Sequence, residues 1–202
     1  MARRTYRLGR RAQSAEETRR RLVEATYALH HERGIRATSM IDIAQRAGVS
    51  AGTVYHHFPS YEDAILACAR HTADHKPLPG PDILHGLSSL PDRVQRLTAA
   101  IFSYFERFPA FERIRAERKG MPPVEAFFDV EERNRLALTR EALAPFTTDA
   151  SLINASAAVL DAAVHSALRR AGFSTARAAE TIAEFVLARC AEQTSATVSK
   201  RR

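Results

Sequence analysis

Between positions 39 and 60 the chain reads SMIDIAQRAGVSAGTVYHHFPS, and this segment restricts the possible folds more than any other. Ser39 and Asp42 stand three apart, the spacing at which a helix cap and its reciprocal partner satisfy the first free N–H groups. Met40, Ile43 and Ala44 then give that helix one apolar face. Gly48 ends it, since glycine turns a chain at positive φ without a side-chain clash. Ser50 caps a second short helix that runs to about His57 and is closed by Pro59. Two such helices joined by a turn have helix-turn-helix dimensions. Val54 and Phe58 are expected to point inward with Ile43, Ala44 and Leu22. That leaves Thr53, Tyr55, His56 and His57 to offer hydroxyls and imidazoles, and Gly52 to let backbone approach a phosphate or base edge closely. Tyr55 fits a half-buried core position as well as a reading position.

The flanking sequence is helical too. Ser14 and Glu17 form a capping pair for a first helix carrying Leu22, Ala25 and Leu29 and stopped at Gly34; Ser60 and Asp63 cap a fourth, over 61–75. KPLPGP at 76–81 forbids a continuous helix and marks a domain boundary. Helical spacing resumes over 92–108, 109–119, 123–144, 149–171 and 174–192. No period-two run of β-branched residues occurs, so the class is all-α. Residues 1–13 hold Arg3, Arg4, Arg7, Arg10 and Arg11 with no acid and read as a disordered basic arm, either touching DNA or merely solvated; 193–202 read as a polar tail.

Lys and Arg number 30 against 23 Asp and Glu, which points to a polyanionic partner. Two cysteines, Cys68 and Cys190, make no disulfide framework and suit a reducing cytoplasm. Neither a secretory signal nor a membrane span is expected. No nucleophile elbow or phosphate-cradling glycine loop is present, so the chain does not read as an enzyme and implies no cofactor.

The run AGVSAGTVYHHF followed by Ser60-Tyr61-Glu62-Asp63 resembles the DNA-binding domain of the TetR family of regulators from Ser39 through Leu66, with the likeness reaching back to about Glu16. The closing HSALRRAGFSTARAAETIAEFVLA is similar to that family's last two helices, while the middle matches in helix layout alone. The resemblance implies an N-terminal three-helix helix-turn-helix domain (14–76, motif 39–58), linked by a fourth helix to a larger helical effector-binding and dimerisation domain (77–192). It implies a homodimeric regulator of double-stranded, pseudo-palindromic DNA, a repressor released by a small-molecule effector. Thr53, Tyr55 and His56 would face the major groove or its phosphates, Gly52 would permit close approach, His57 would lie at the backbone edge, and Ser39 would bind phosphate. Ser50 and Ala51 would flank the contact; Ala51 is plain where many relatives are polar. Tyr61 stands where the family often has Lys, and would still donate a hydrogen bond to phosphate.

Three further groups carry expectations. Phe102, Phe105, Phe127, Phe128 and His165 are candidates for an aromatic effector cavity, although core packing accounts for such residues equally. Leu160, Val164 and Leu168 with Ile182 and Phe185 are candidates for a two-fold four-helix interface. Asp161, His165 and Arg169 form an i, i+4 ladder suited to a pocket, an interface or a solvated stripe. Cys68, His71 and His75 share a helix face, which raises the alternative of a metal-responsive DNA binder, though core and helix-end roles explain them more simply and no metal is assigned. A helical ligand-binding protein without a DNA role is the other alternative.

Overall fold

The computed structural model describes residues 2–199, and side chains from 13 to 193. The described residues form ten α-helices, one 3-10 turn and no strand. They divide into two compact units, one formed by the residues up to 75 with 113–127 and the other by residues 76–112 with those from 128 onward.

The first unit begins with α1 (Ala2–Arg33), followed by α2 (Met40–Ala47), α3 (Ala51–His57) and α4 (Tyr61–His75). Leu22, Ala25 and Leu29 of α1 pack with Met40, Ile43 and Ala44 of α2, Val54 of α3, Phe58, and Ala64 and Ala67 of α4. The helix ends follow local chemistry. Ser39 caps α2 reciprocally with Asp42, and Gly48 closes it at φ +66° with its N–H on the carbonyls of Ala44 and Gln45. Ser50 Oγ accepts from Thr53 N at the start of α3, and Ser60 exchanges hydrogen bonds with Asp63 at the start of α4. α1 itself departs from expectation. It starts at Ala2 instead of Ser14, so the Ser14–Glu17 box does not form and residues 2–13 continue the helix. Ser14 O instead accepts from Thr18 Oγ1 within it, at 2.9 Å.

Residues 113–127 fasten the turn between α1 and α2. The Glu117 carboxylate accepts from the N–H groups of Ile35 and Arg36 at 2.7 and 2.8 Å. Arg36 in turn donates to the carbonyls of Glu117 and Lys119, and Arg113 donates to His31 O. Gly34 is required here: it sits at φ +94°, and a Cβ on it would collide with the Glu117 carboxylate.

The second unit contains the 3-10 turn Pro81–Leu84, α5 (Leu90–Glu106), α8 (Ala150–Val159), α9 (Ala162–Arg170) and α10 (Thr175–Ser199). Two further helices, α6 (Phe111–Ala116) and α7 (Pro122–Leu143), supply their residues 111–112 and 128–143 to it. α5 packs along α10, which also meets α8 and α9. Val94, Leu97, Ile101 and Phe102 of α5 and Ala178, Ala179, Ile182 and Val186 of α10 are buried. The expected single helix over 149–171 is broken at Leu160, and its halves diverge by 46°. Asp161 is the reason: its carboxylate caps α9 by accepting from Ala163 N at 2.8 Å. Arg135 of α7 holds the break together, donating to Ala157 O at 2.5 Å and pairing with Glu131 at 3.2 Å and Asp161 at 3.4 Å. Of the expected ladder, His165 and Arg169 line one pocket, while Asp161 is used at the helix break. Asp161 faces Arg135, and Arg169 Nη1 donates to Phe173 O. At the other end α10 runs through 193–199, where a polar tail was expected; residues 200–202 lie outside the described residues. No single described helix is long and apolar enough to cross a membrane.

Candidate nucleic-acid interface and effector pocket

α3 turns one face into the core and the other to solvent. Val54 and Phe58 are buried, whereas Ser50, Gly52, Tyr55 and His56 are exposed, and Ala51, Thr53 and His57 are half-buried. Tyr55 is 51% exposed, so the half-core alternative is not what its position shows. Local hydrogen bonds fix the display. Ser50 Oγ and Thr53 Oγ1 share a hydrogen at 2.9 Å. Arg19 of α1 donates to His57 O at 3.2 Å while its guanidinium lies 4.7 Å over the Phe58 ring, which anchors the end of the helix. His57 is held below the ordinary imidazole range, first by burial, then by His56 and Arg19.

Two expected phosphate ligands are turned to internal use. Ser39 is exposed, but its hydroxyl donates to Asp42 Oδ2 at 2.6 Å and its N–H to the same oxygen at 2.8 Å. Asp42 is consequently held down to about 2, by Ser39 first and by Arg33 beside it at 2.8 Å. The Tyr61 hydroxyl does not reach outward to a phosphate. It donates to Ile35 O at 2.6 Å and accepts from His30 Nε2 at 3.0 Å. The reason lies in His30, a buried imidazole that burial lowers to about 4 and that needs a partner inside the bundle. The sequence shows both residues but not that they meet, since they are separated by two helices.

The face Cys68-His71-His75 does not converge. Cys68 is buried, which raises its thiol to about 12. His71 and His75 stack on each other at 4.0 Å, and His75 Nδ1 donates to His71 O. Among the described residues no group of three His, Cys, Asp or Glu is placed to hold a metal ion.

In the second unit a pocket of about 390 Å³ opens between α5, the 105–112 stretch and α9. Phe105, Phe108 and Phe111 form its aromatic wall; His165, Ser166, Glu112 and Arg169 supply polar groups. Phe105 and Phe111 lie 5.1 Å apart and Phe111 meets Phe128 edge-on at 5.0 Å. His165 is buried, packs edge-on against Phe102 at 5.2 Å, and is lowered chiefly by that burial, which favours the neutral ring. Of the expected cavity residues, Phe105 and His165 line the pocket and Phe102 and Phe128 back it. Phe127 groups with the first unit and is no part of it. Phe108 and Phe111 belong to the wall through a three-residue repeat of phenylalanine from 102 to 111 that the sequence does display. Arg169 shares the i, i+4 spacing that singled it out with His165, whereas Glu112 and Ser166 carry no comparable signal.

The candidate interface residues separate by burial. Leu160 and Ile182 are covered by their own chain, at 0% and 6% exposure, and belong to its core and not to the expected interface. Leu160 closes α8 at the break before Asp161, and α10, which carries Ile182, packs along α5. Val164 and Leu168 are half-buried, and Phe185 stands 66% exposed.

Residues 22–68 match the model for bacterial regulatory proteins of the tetR family. The transcriptional repressor KstR2 of Mycobacterium tuberculosis is 33% identical over 131 residues, 63% of this chain and 64% of that one; the match thus spans just under two thirds of the relative. A tetR-family transcriptional regulator from Streptomyces coelicolor superposes with a TM-score of 0.66 at 19% identity, covering 92% of this chain and 88% of the other. The multidrug binding protein EbrR, complexed with imidazole, gives 0.61 at 18% identity over 84% and 92%. At such identities the structures establish a shared fold.

Proposed function

This chain belongs to the TetR family of bacterial regulatory proteins, and from that premise we propose that it is a sequence-specific DNA-binding repressor of the cytoplasm, acting as a homodimer and released by a small molecule. The observation that carries the reading is the division of α3. Val54 and Phe58 hold the helix in its bundle, while Gly52, Thr53, Tyr55 and His56 lie on the open side, in the segment that matches the family. A phenol, a hydroxyl and an imidazole on one helix can hydrogen-bond base edges and phosphates in a major groove. Ser50 and Ala51 border this face, and His57 marks its phosphate edge. Ser39 would contribute through the start of α2 once its hydroxyl leaves Asp42.

Phe185, Val164 and Leu168 are the apolar surface proposed to pair two protomers across a two-fold axis, which would set two copies of α3 about one helical turn of DNA apart. The pocket walled by Phe105, Phe108 and Phe111 is the proposed effector site. A mostly apolar molecule would be oriented by neutral His165. Selection of duplexes from a random-sequence pool with the purified chain tests the reading. One enriched, inverted-repeat motif is expected, with affinity falling steeply in salt, by roughly 0.9 log units per phosphate contact per log unit of salt. A pool that stays random through repeated selection would overturn it.

A further inference from the structure

The exposed face of α3 has no permanent cation. Its seven residues are AGTVYHH, and its only bases are His56 and His57. Four guanidinium groups of the same unit are committed within it. Arg33 pairs with Asp42 at 2.8 Å, Arg46 donates to Glu32 at 2.8 Å, Arg36 holds two carbonyls, and Arg19 donates to His57 O. The two imidazoles stand 5.4 Å apart, nearly edge to face, with His56 exposed and His57 half-buried. The charged groups of α1 that face His57 are Arg19 and Glu16. On α2, Asp42 is held by Ser39 and Arg33 and Arg46 by Glu32; at the start of α4, Asp63 is held by Ser60. In the free protein burial, His56 and Arg19 oppose protonation of His57, with Glu16 acting the other way.

We propose that DNA binding by this helix is proton-linked: His56 and His57 take up protons as they approach the phosphates, and the protein grips duplex DNA more tightly as pH falls through the imidazole range. The inference rests on the DNA-binding reading and specifies how that site is regulated. Its physics is linkage. A polyanion beside an imidazole favours the charged ring, so each unit by which DNA raises the effective pKa strengthens binding about tenfold on the acid side of the transition. His30 lies in the same unit but titrates at about 4, below this window.

The test uses the full chain and two fluorescent probes, a mixed-sequence duplex of about 30 base pairs, roughly three helical turns, and a duplex enriched from a random pool. Anisotropy titrations at constant salt near about pH 6 and about pH 8 span the imidazole range, and calorimetry in two buffers of different ionisation heat reads net proton uptake. The expected result is at least about tenfold tighter binding at the lower pH, net proton uptake, and a salt slope steeper there by about 0.9 for each added charge. His56→Gln with His57→Gln removes the pH dependence. His56→Lys with His57→Lys binds tightly and equally at both pH values, which decides the matter if the glutamine variant binds too weakly to titrate. Equal affinity at both pH values with no proton uptake overturns the inference while leaving DNA binding intact. So does a pH dependence that survives in the glutamine or the lysine variant. Absence of binding to either duplex at both pH values overturns the DNA reading, and this inference with it.

Discussion

At the scale of single residues, position in the bundle separates tyrosines that look alike in sequence. Tyr55 is 51% exposed, so Tyr55→Ala should leave the thermal transition in place while operator binding is lost; calorimetry beside a mobility-shift assay checks both. Tyr61 joins Ile35 O and His30 within the bundle. Tyr61→Phe leaves a buried carbonyl and a buried imidazole without that hydroxyl and should cost about 1 kcal/mol in denaturant unfolding. His30 makes the same region acid-sensitive. Its folded pKa is about 4 against an ordinary 6.5, so the unfolded chain binds the proton first as pH falls. The stability due to the neutral ring is fully present above about pH 6.5 and is lost as pH drops toward 4, to the extent of about 3 kcal/mol at most. Urea midpoints measured across that window should fall in the native chain and fall less in His30→Gln.

At the scale of elements, helix ends are decided by short-range chemistry where the partners are close in sequence and by tertiary charge where they are not. Ser39–Asp42, Ser50–Thr53, Gly48 and Ser60–Asp63 behave as their spacing predicts. Gly48→Ala should cost about 1–2 kcal/mol, because a side chain is disfavoured at φ +66° even though space around it is open. The break between α8 and α9 is of the other kind. Asp161 reads as part of a polar ladder until Arg135, far back in the chain, is seen to bridge Glu131, Ala157 O and Asp161. Arg135→Met removes the guanidinium from a carboxylate only 1% exposed, at a cost of about 3 kcal/mol. A double variant adding Glu131→Leu should recover much of that loss, which paired denaturation curves would measure.

At the scale of the whole molecule, the proposed pairing of protomers would follow from what a single chain leaves uncovered. Leu160→Glu or Ile182→Glu would place a charge in a position 0% or 6% exposed and should unfold the chain, whereas Phe185→Glu, at a site 66% exposed, should yield folded monomers. Light scattering with circular dichroism distinguishes the two outcomes, and the monomers are expected to lose operator affinity. By itself the sequence determined the helical class, the caps and turn of the 39–60 segment and the inward direction of Val54 and Phe58, because each rests on residues a few positions apart. Only the tertiary structure decided that Tyr61 turns to His30, that Glu117 closes the Gly34 turn, that Leu160 and Ile182 are spent on the chain's own core, and that Phe127 groups with the first unit. Those outcomes depend on buried polar groups finding partners and apolar faces finding cover across long stretches of chain, and neither demand leaves a periodic mark in the sequence.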